Sequence, residues 1–131
     1  MGRRGGDGHS DGDAERLSGR RVSGVRRFGQ VIRLKPERIA EYEALHAAAW
    51  PGVLAAIHRG NIRNYSIFRH DTTLFAYYEY VGDDYAADMA SIAADDETQR
   101  WWKLTDAMQE PDERRPNGAW WLDLPEVFHT D

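Results

Sequence analysis

The fold of this chain is indicated most clearly by one segment, residues 61–81, which reads NIRNYSIFRHDTTLFAYYEYV. Its two halves, 61–69 and 74–81, are rich in the β-branched and aromatic residues that favour strands. Between them lies His70-Asp71-Thr72-Thr73, whose length and composition suit a hairpin turn. We therefore predict two antiparallel strands at this point of the sequence.

The residues before the hairpin predict one strand followed by a helical region. Residues 28–34 (FGQVIRL) are β-rich and stop before Pro36. From Pro36 onward the period lengthens to that of an amphipathic helix, with apolar or aromatic positions at Ile39, Tyr42, Leu45, His46 and Ala49. Pro51 interrupts this helix, and a second apolar stripe then continues to Gly60, a residue typical of helix C-termini.

The residues after the hairpin predict two more helical segments and a last strand. Asp83 and Asp84 can cap a helix whose core face holds Tyr85, Met89 and Ile92. Acidic residues 95–97 begin a further helix through Trp101, Trp102, Leu104 and Met108, which ends near Pro111. A loop-like stretch, 111–118, precedes a strand-like run formed by residues 119–124 together with Val127 and Phe128.

The resulting order, β-α-β-β-α-β, is typical of an α+β, ferredoxin-like fold: a four-stranded antiparallel sheet with helices on one face. Its other face would present alternate residues of the strand 74–81, either the set beginning at Leu74 or the set beginning at Phe75. Both sets are too apolar to be left in water, so we expect a second copy or a ligand to cover this face. Two copies packed sheet to sheet would form a dimeric α+β barrel.

Charge divides the chain into a basic arm and an acidic body. Residues 1–27 hold seven Arg against four acidic residues, whereas residues 28–131 hold ten Lys or Arg against eighteen Asp or Glu. Residues 1–25 also contain seven of the twelve glycines, a composition that predicts a disordered arm. We expect residues 26–131 to form one domain, and its negative charge to disfavour nucleic acid.

The absence of certain residues and motifs excludes several classes of site. The 131 residues include no cysteine, so disulfides, thiolate metal sites and a cysteine nucleophile are excluded, and a cytoplasmic location is favoured. The sequence has no phosphate-binding glycine loop, and its five histidines are not spaced as metal ligands. No apolar run is long enough to cross a bilayer. We therefore predict no metal and no membrane partner.

Two pairs of residues on the predicted helices are candidates for a binding site. Tyr42 and His46 are four residues apart and project from one helix face, although this spacing also suits a buried tyrosine beside a half-buried histidine. Trp101 and Trp102 point about 100° apart on a helix, so they cannot share a narrow core stripe. One of them could serve a dimer interface, or both could form an aromatic wall for a sugar.

Four segments, in the same order, resemble the L-rhamnose mutarotase family. They are Glu41-Tyr42 with His46 and Trp50-Pro51, then Asn64-Tyr65, then residues 99–103 (QRWWK), and then residues 124–128 (LPEVF). The resemblance spans about residues 28–131 and implies a dimeric, cofactor-free enzyme that interconverts the α and β anomers of L-rhamnose. It implies His46 as the proton donor and Tyr42, Tyr65, Trp101 and Trp102 as the sugar-binding residues.

Opening and reclosing a sugar hemiacetal needs proton transfer and no redox step, which suits a histidine. The resemblance assigns His46 to protonate the ring oxygen, but the base could be water, Tyr42 or His46 itself. Two other functions stay open on the sequence: a cofactor-free oxygenase of the dimeric α+β barrel type, and a sugar-binding module without catalysis. The sequence does not distinguish L-rhamnose from related 6-deoxy or manno-configured sugars.

Overall fold

A computed structural model describes residues 24–131 of the chain. The predicted arm, residues 1–25, lies almost entirely outside the described residues. The elements, in chain order, are β1 (Arg26–Leu34), a 3₁₀ turn (Pro36–Arg38), α1 (Ile39–Ala47), α2 (Pro51–Arg59), β2 (Ile62–His70), β3 (Thr73–Tyr80), α3 (Tyr85–Ala93), α4 (Asp96–Met108), β4 (Gln109–Glu110) and β5 (Leu122–Leu124).

The sheet is antiparallel and confirms the predicted hairpin, because β2 pairs with β3 from Ile62 opposite Tyr80 to His70 opposite Thr73. The turn is tighter than predicted: it contains only Asp71 and Thr72, and Asp71 has a φ of 50°. Asp and Asn tolerate this left-handed conformation better than most residues do. β3 then pairs with β1, which lies in the interior of the sheet.

The prediction of one continuous last strand was wrong. Two short strands share the free edge of β1: β4 pairs with Arg33 and Leu34, and β5 pairs with residues 29–31. Pro125 lacks the amide hydrogen that a longer ladder would need, so β5 stops at Leu124. Val127 and Phe128 lie beyond it, 94% and 79% exposed. The α+β, ferredoxin-like arrangement is retained, with a divided edge strand.

The alternation of β3 identifies its two faces. Leu74, Ala76, Tyr78 and Tyr80 are at most 1% exposed and face the helices, where they join the core. Phe75, at 39% exposed, belongs to the opposite set, on the outer sheet face. Residues directly opposite each other in a ladder share a face, so Val31, Phe68 and Leu122 also lie on the outer sheet face.

The helix boundaries follow local signals in the sequence. Pro51 is the first residue of α2, where its missing amide hydrogen costs nothing. Asp84 accepts a hydrogen bond from Ala87 N and caps α3, and Asp95 accepts one from Thr98 N and caps α4. Within residues 24–131 no helix is both long and apolar enough to span a membrane.

Candidate active site

The inner face of the sheet and helices α1 to α4 line an open cavity of about 290 Å³. Its lining includes all five residues singled out from the sequence: Tyr42, His46, Tyr65, Trp101 and Trp102. Much of the remaining wall is aliphatic, with contributions from Val53, Ile57 and Ile92. The topology therefore brings together side chains from α1, β2 and α4 that are separated by up to 60 positions in the sequence.

His46 is held by its own helix and by two aromatic rings. Its ring stacks on Tyr42, with 4.1 Å between centroids, and meets the edge of Trp101 at 5.0 Å. Nδ1 lies 2.9 Å from the backbone oxygen of Tyr42. Because a carbonyl oxygen only accepts hydrogen bonds, Nδ1 is the protonated nitrogen, and Nε2 of the neutral ring carries the lone pair.

Burial lowers the pKa of His46 from its ordinary 6.5, and the hydrogen bond to the Tyr42 carbonyl opposes this shift more weakly. Desolvation penalises the imidazolium because the charged ring loses hydration that the surrounding aromatic rings do not replace. The neutral ring is therefore the dominant form at neutral pH. A neutral imidazole with a lone pair on Nε2 can accept a proton from a bound hydroxyl group.

Trp101 and Trp102 both line the cavity, at 6% and 8% exposed, so neither indole is displayed on the surface of the protomer. The sequence left open whether one of the two tryptophans lies at a dimer interface. In the structure both line the cavity instead, because the cavity is wide enough for two side chains that leave α4 in different directions. Trp50, just before α2, packs edge-on against Trp101 with 5.2 Å between centroids.

Tyr65 reaches the cavity from an irregular strand. The pairing of β2 with β3 shifts register between Arg63 and Ser66, so Asn64 and Tyr65 together stand opposite a single residue of β3. Asn64 adopts a φ of 52°, which an asparagine tolerates. Such a bulge changes the direction of the side chain that follows, and the Tyr65 ring packs 5.5 Å from that of Tyr78.

Sequence reasoning missed several residues of the cavity wall, chiefly Gln109 and Trp121. Trp121 precedes β5, and strict alternation with Leu122 could have placed it on the inner face. Nothing in the sequence marks Gln109, whose strand has only two residues. Gln109 is 4% exposed and donates a hydrogen bond from Nε2 to Tyr42 Oη at 3.2 Å.

The other described histidines, His58, His70 and His129, are exposed and line no part of the cavity. Across residues 24–131, no group of three or more His, Cys, Asp or Glu residues is placed to hold a metal ion. The polar groups of the cavity are instead phenol, imidazole, indole, amide and threonine hydroxyl groups. This set can donate and accept hydrogen bonds around an uncharged, hydroxyl-rich ligand.

Comparison with known proteins shows which family the chain resembles. A family model described as L-rhamnose mutarotase matches residues 27–130. The L-rhamnose mutarotase of Lactiplantibacillus plantarum is 37% identical over 107 residues, covering 80% of this chain and 98% of the relative. That of Opitutus terrae is 41% identical over 95 residues, covering 70% and 86%.

A solved structure of L-rhamnose mutarotase FA22100 from Formosa agariphila superimposes with a TM-score of 0.63 at 22% identity, covering 80% of this chain and 98% of that one. At that identity the likeness concerns the fold, and it supports the ferredoxin-like assignment. The family match takes in the whole segment that builds the cavity, from β1 to the residues beyond β5. The chain therefore belongs to the L-rhamnose mutarotase family.

Proposed function

We propose that this chain interconverts the α and β anomers of L-rhamnose and that the cavity between α1, α4 and the sheet is its sugar site. The observation that carries the proposal is the convergence of His46 with two tyrosines and two tryptophans on one cavity. Membership of an isomerase family that acts on anomers supports the same reaction. The reaction needs no net change in atoms or electrons, which fits a site built from neutral acid–base groups.

In this proposal His46 carries the proton in both halves of the reaction. Nε2 of the neutral ring takes the proton from the anomeric hydroxyl while the bond between C1 and the ring oxygen breaks and C1 becomes an aldehyde. The imidazolium returns that proton to the ring oxygen. Rotation about C1–C2 and the reverse steps then close the opposite anomer. One placed acid or base commonly contributes about 10²- to 10⁴-fold in rate, enough to accelerate a reaction that already occurs in water.

The other cavity residues supply contacts to the sugar. Tyr42 and Tyr65 bind sugar hydroxyl groups, and Trp101 and Trp102 offer indole faces to the sugar C–H groups. The aliphatic wall at Val53, Ile57 and Ile92 suits the methyl group of a 6-deoxy sugar, because burying the hydroxymethyl of an ordinary hexose there would leave its oxygen unpaired. This wall is our reason for favouring a 6-deoxy sugar.

Anomer exchange measured by saturation-transfer NMR over a sugar panel tests the proposal. L-Rhamnose should show accelerated exchange, and 6-hydroxylated sugars of the same ring configuration should show less. Binding of L-rhamnose without acceleration would instead identify a binding module. No effect on any sugar, together with oxygen uptake on a quinol, would identify an oxygenase.

We also propose that two copies associate through the outer sheet face. This face carries exposed aromatic side chains, with Phe68 61% and Phe75 39% exposed and their rings 6.5 Å apart. On the same face Arg27, which stands opposite Glu79, donates from Nε and Nη2 to Glu126 of the C-terminal segment at 2.7 and 3.1 Å. Neighbouring aromatic side chains exposed on one sheet face favour association with a second copy.

The setting we propose is the cytoplasm, without nucleic acid or membrane as partner. A chain with no cysteine makes no use of an oxidising compartment, and the acidic body repels phosphate backbones. Fractionation of the native host with an antibody against the chain tests the location: recovery in the periplasmic or membrane fraction would contradict it.

A further inference from the structure

The N-terminus of α2 is capped by a side chain from a different helix. The backbone amide of Gly52 donates to Glu97 Oε2 at 2.8 Å, across 45 positions of the sequence. Gly52 lies in the first turn of α2, where amide groups have no partner within the helix. That turn contains no acidic residue of its own, and Trp50, the N-cap residue, supplies no side-chain hydrogen bond. The carboxylate of Glu97 also complements the positive end of the helix dipole.

The carboxyl group of Glu97 occupies the space that a side chain at position 52 would take. A Cβ on Gly52 would lie less than 3.0 Å from the carboxyl carbon and from both carboxyl oxygens of Glu97. The contact between the two helices therefore depends on two residues at once, an acceptor at position 97 and the absence of a side chain at position 52.

A second contact joins the same two segments beside this hydrogen bond. Glu97 and Trp101 are four residues apart on α4, so they project from one face of the helix, one turn apart. Trp50, two residues before Gly52, packs edge-on against Trp101 with 5.2 Å between ring centroids. The Trp101 ring in turn packs against the ring of His46 at 5.0 Å. The start of α2 is thus joined to α4 at two points, and the second point includes the indole that contacts His46.

We propose that Glu97 is a positioning residue: by binding the amide of Gly52 it holds Trp50 against Trp101, and so keeps the Trp101 ring packed against His46. Glu97 does not line the cavity, so it acts on the site through the two indoles. Its effect on catalysis rests on the proposed function, whereas the packing around His46 can be measured without any sugar.

Loss of the contact should admit water to the ring of His46. Burial lowers the pKa of this histidine, and no charged side chain of residues 24–131 contributes to that pKa. When Trp50 and Trp101 loosen, the imidazolium is better hydrated and its pKa should rise toward 6.5. Removal of a nearby negative charge would instead lower the pKa, because a carboxylate stabilises an imidazolium. The direction of the pKa change therefore separates loss of packing from loss of charge.

Glu97→Ala and Gly52→Ala break the contact from opposite sides. The first removes the acceptor, whereas the second adds a Cβ that displaces the carboxylate while favouring the helix itself. In both variants an NMR titration of the His46 ring should show a raised pKa, and the near-UV circular dichroism of the tryptophans should weaken. The value of kcat/KM for L-rhamnose at neutral pH should fall at least about threefold, because displacing placed groups by about 1 Å can cost up to about 100-fold.

Two variants serve as controls. Glu97→Gln keeps an oxygen that can accept from the Gly52 amide, so it should behave nearly like the unmodified protein. Asp96→Ala removes the neighbouring, exposed carboxylate from the same turn of α4, and should leave the tryptophan spectrum unchanged without raising the pKa of His46. The resonance of His46 is assigned as the one missing from His46→Gln.

The double variant should show no larger rise in the pKa of His46 than either single variant, since all three lack the same contact. A lower melting temperature with an unchanged His46 pKa and tryptophan spectrum would mean that Glu97 only stabilises the fold, and would overturn the inference. A lowered pKa in Glu97→Ala would overturn it too. Gly52→Ala gives the same test if Glu97→Ala does not fold. Failure of the proposed function is seen separately, as an unmodified protein that does not accelerate anomer exchange, and the titration of His46 still tests Glu97.

Discussion

His46 lies between the ring of Tyr42 and the edge of Trp101, with Nδ1 engaged by the backbone one turn earlier. These contacts fix the ring orientation and leave Nε2 as its proton-accepting atom. Proton exchange at this nitrogen is the chemical step that we assign to His46. Two predictions at the level of this residue follow from that arrangement.

Replacing His46 with Gln should slow anomer exchange at least about tenfold, because one placed acid–base group commonly contributes 10²- to 10⁴-fold or so. Glutamine is of similar size and keeps hydrogen-bonding capacity, so the fold should be retained, as circular dichroism can check. Exchange is measured by saturation-transfer NMR on L-rhamnose. Near-normal exchange in a folded His46→Gln variant would remove His46 from the mechanism.

The pH profile should show that the neutral ring of His46 is the active form. Burial lowers its pKa below 6.5, so kcat/KM should be flat through neutrality and decline only as pH falls through that lowered value. Because the unfolded chain binds this proton at a higher pH, near 6.5, than the folded chain does, the free energy of unfolding should also decrease as pH falls below about 6.5. In the rate measurement, spontaneous exchange in buffer is subtracted. A rate that falls on raising pH through 6 would mean that the imidazolium is required instead.

At this scale the sequence predicts some site residues and not others for a physical reason. Tyr42 and His46 share a helix, so their spacing alone places them on one face. The two tryptophans are also adjacent on a helix, but their spacing does not predict that both line one cavity. That depends on the width of the cavity, which only the tertiary structure shows. Gln109 enters the site through tertiary pairing with β1, which leaves no local pattern in the sequence.

The helices are positioned partly by one close approach. Gly60 is the C-cap of α2, and a Cβ at this position would lie less than 3.0 Å from two side-chain carbons of Ile92 on α3. Ile92 is 1% exposed and is part of the core, so it has little room to move. The absence of a side chain at Gly60 therefore sets the spacing between α2 and α3.

Gly60→Ala should destabilise the protein by about 1–3 kcal/mol, the usual cost of overpacking a core. The melting temperature should fall by roughly 4 °C or more. Gly29→Ala is the control, because its Cβ would meet the Phe75 ring at an ordinary 3.7 Å. Differential scanning calorimetry compares the two variants, and equal melting temperatures would show that Ile92 moves aside without cost.

Most elements could be predicted from hydrophobic period and capping residues. Local signals in the sequence coincide with boundaries in the structure. They are the hairpin turn, the helix breaks at Pro51 and Gly60, and the acidic caps at Asp84 and Asp95. The divided edge strand could not be predicted in this way. A two-residue strand such as β4 has no period, and the apolar run that continues to Phe128 resembles a strand until its pairing partner is known.

For the whole molecule, the first question is whether the arm contributes to the domain. The arm is rich in arginine and glycine, and the family match begins at residue 27. A chain that begins at Gly24 should keep its melting temperature and its rate of anomer exchange, because β1 and every residue of the cavity wall are retained. Loss of either property on truncation would show that the arm packs against the domain.

The second question is what covers the outer sheet face. Phe68 and Phe75 are exposed there, near the turn of the β2–β3 hairpin, where no helix of the described chain covers them. If two copies pack through this face, each Phe68 ring is buried in the dimer. Burying a side chain of this size is worth about 1.5–3 kcal/mol, so losing it should raise the dimer dissociation constant at least about tenfold.

Light scattering at micromolar concentration should therefore report about twice the 15.0 kDa chain mass for the unmodified protein. Phe68→Glu should shift the mass toward that of one chain, because each copy would bring a carboxylate into an apolar contact. Leu104→Glu is the matched control: Leu104 is 41% exposed on α4, which lies on the helical side of the molecule. Its mass should stay that of the dimer. A monomeric unmodified protein with full mutarotase activity would refute the dimer. A ligand other than a second copy would then have to cover the outer sheet face.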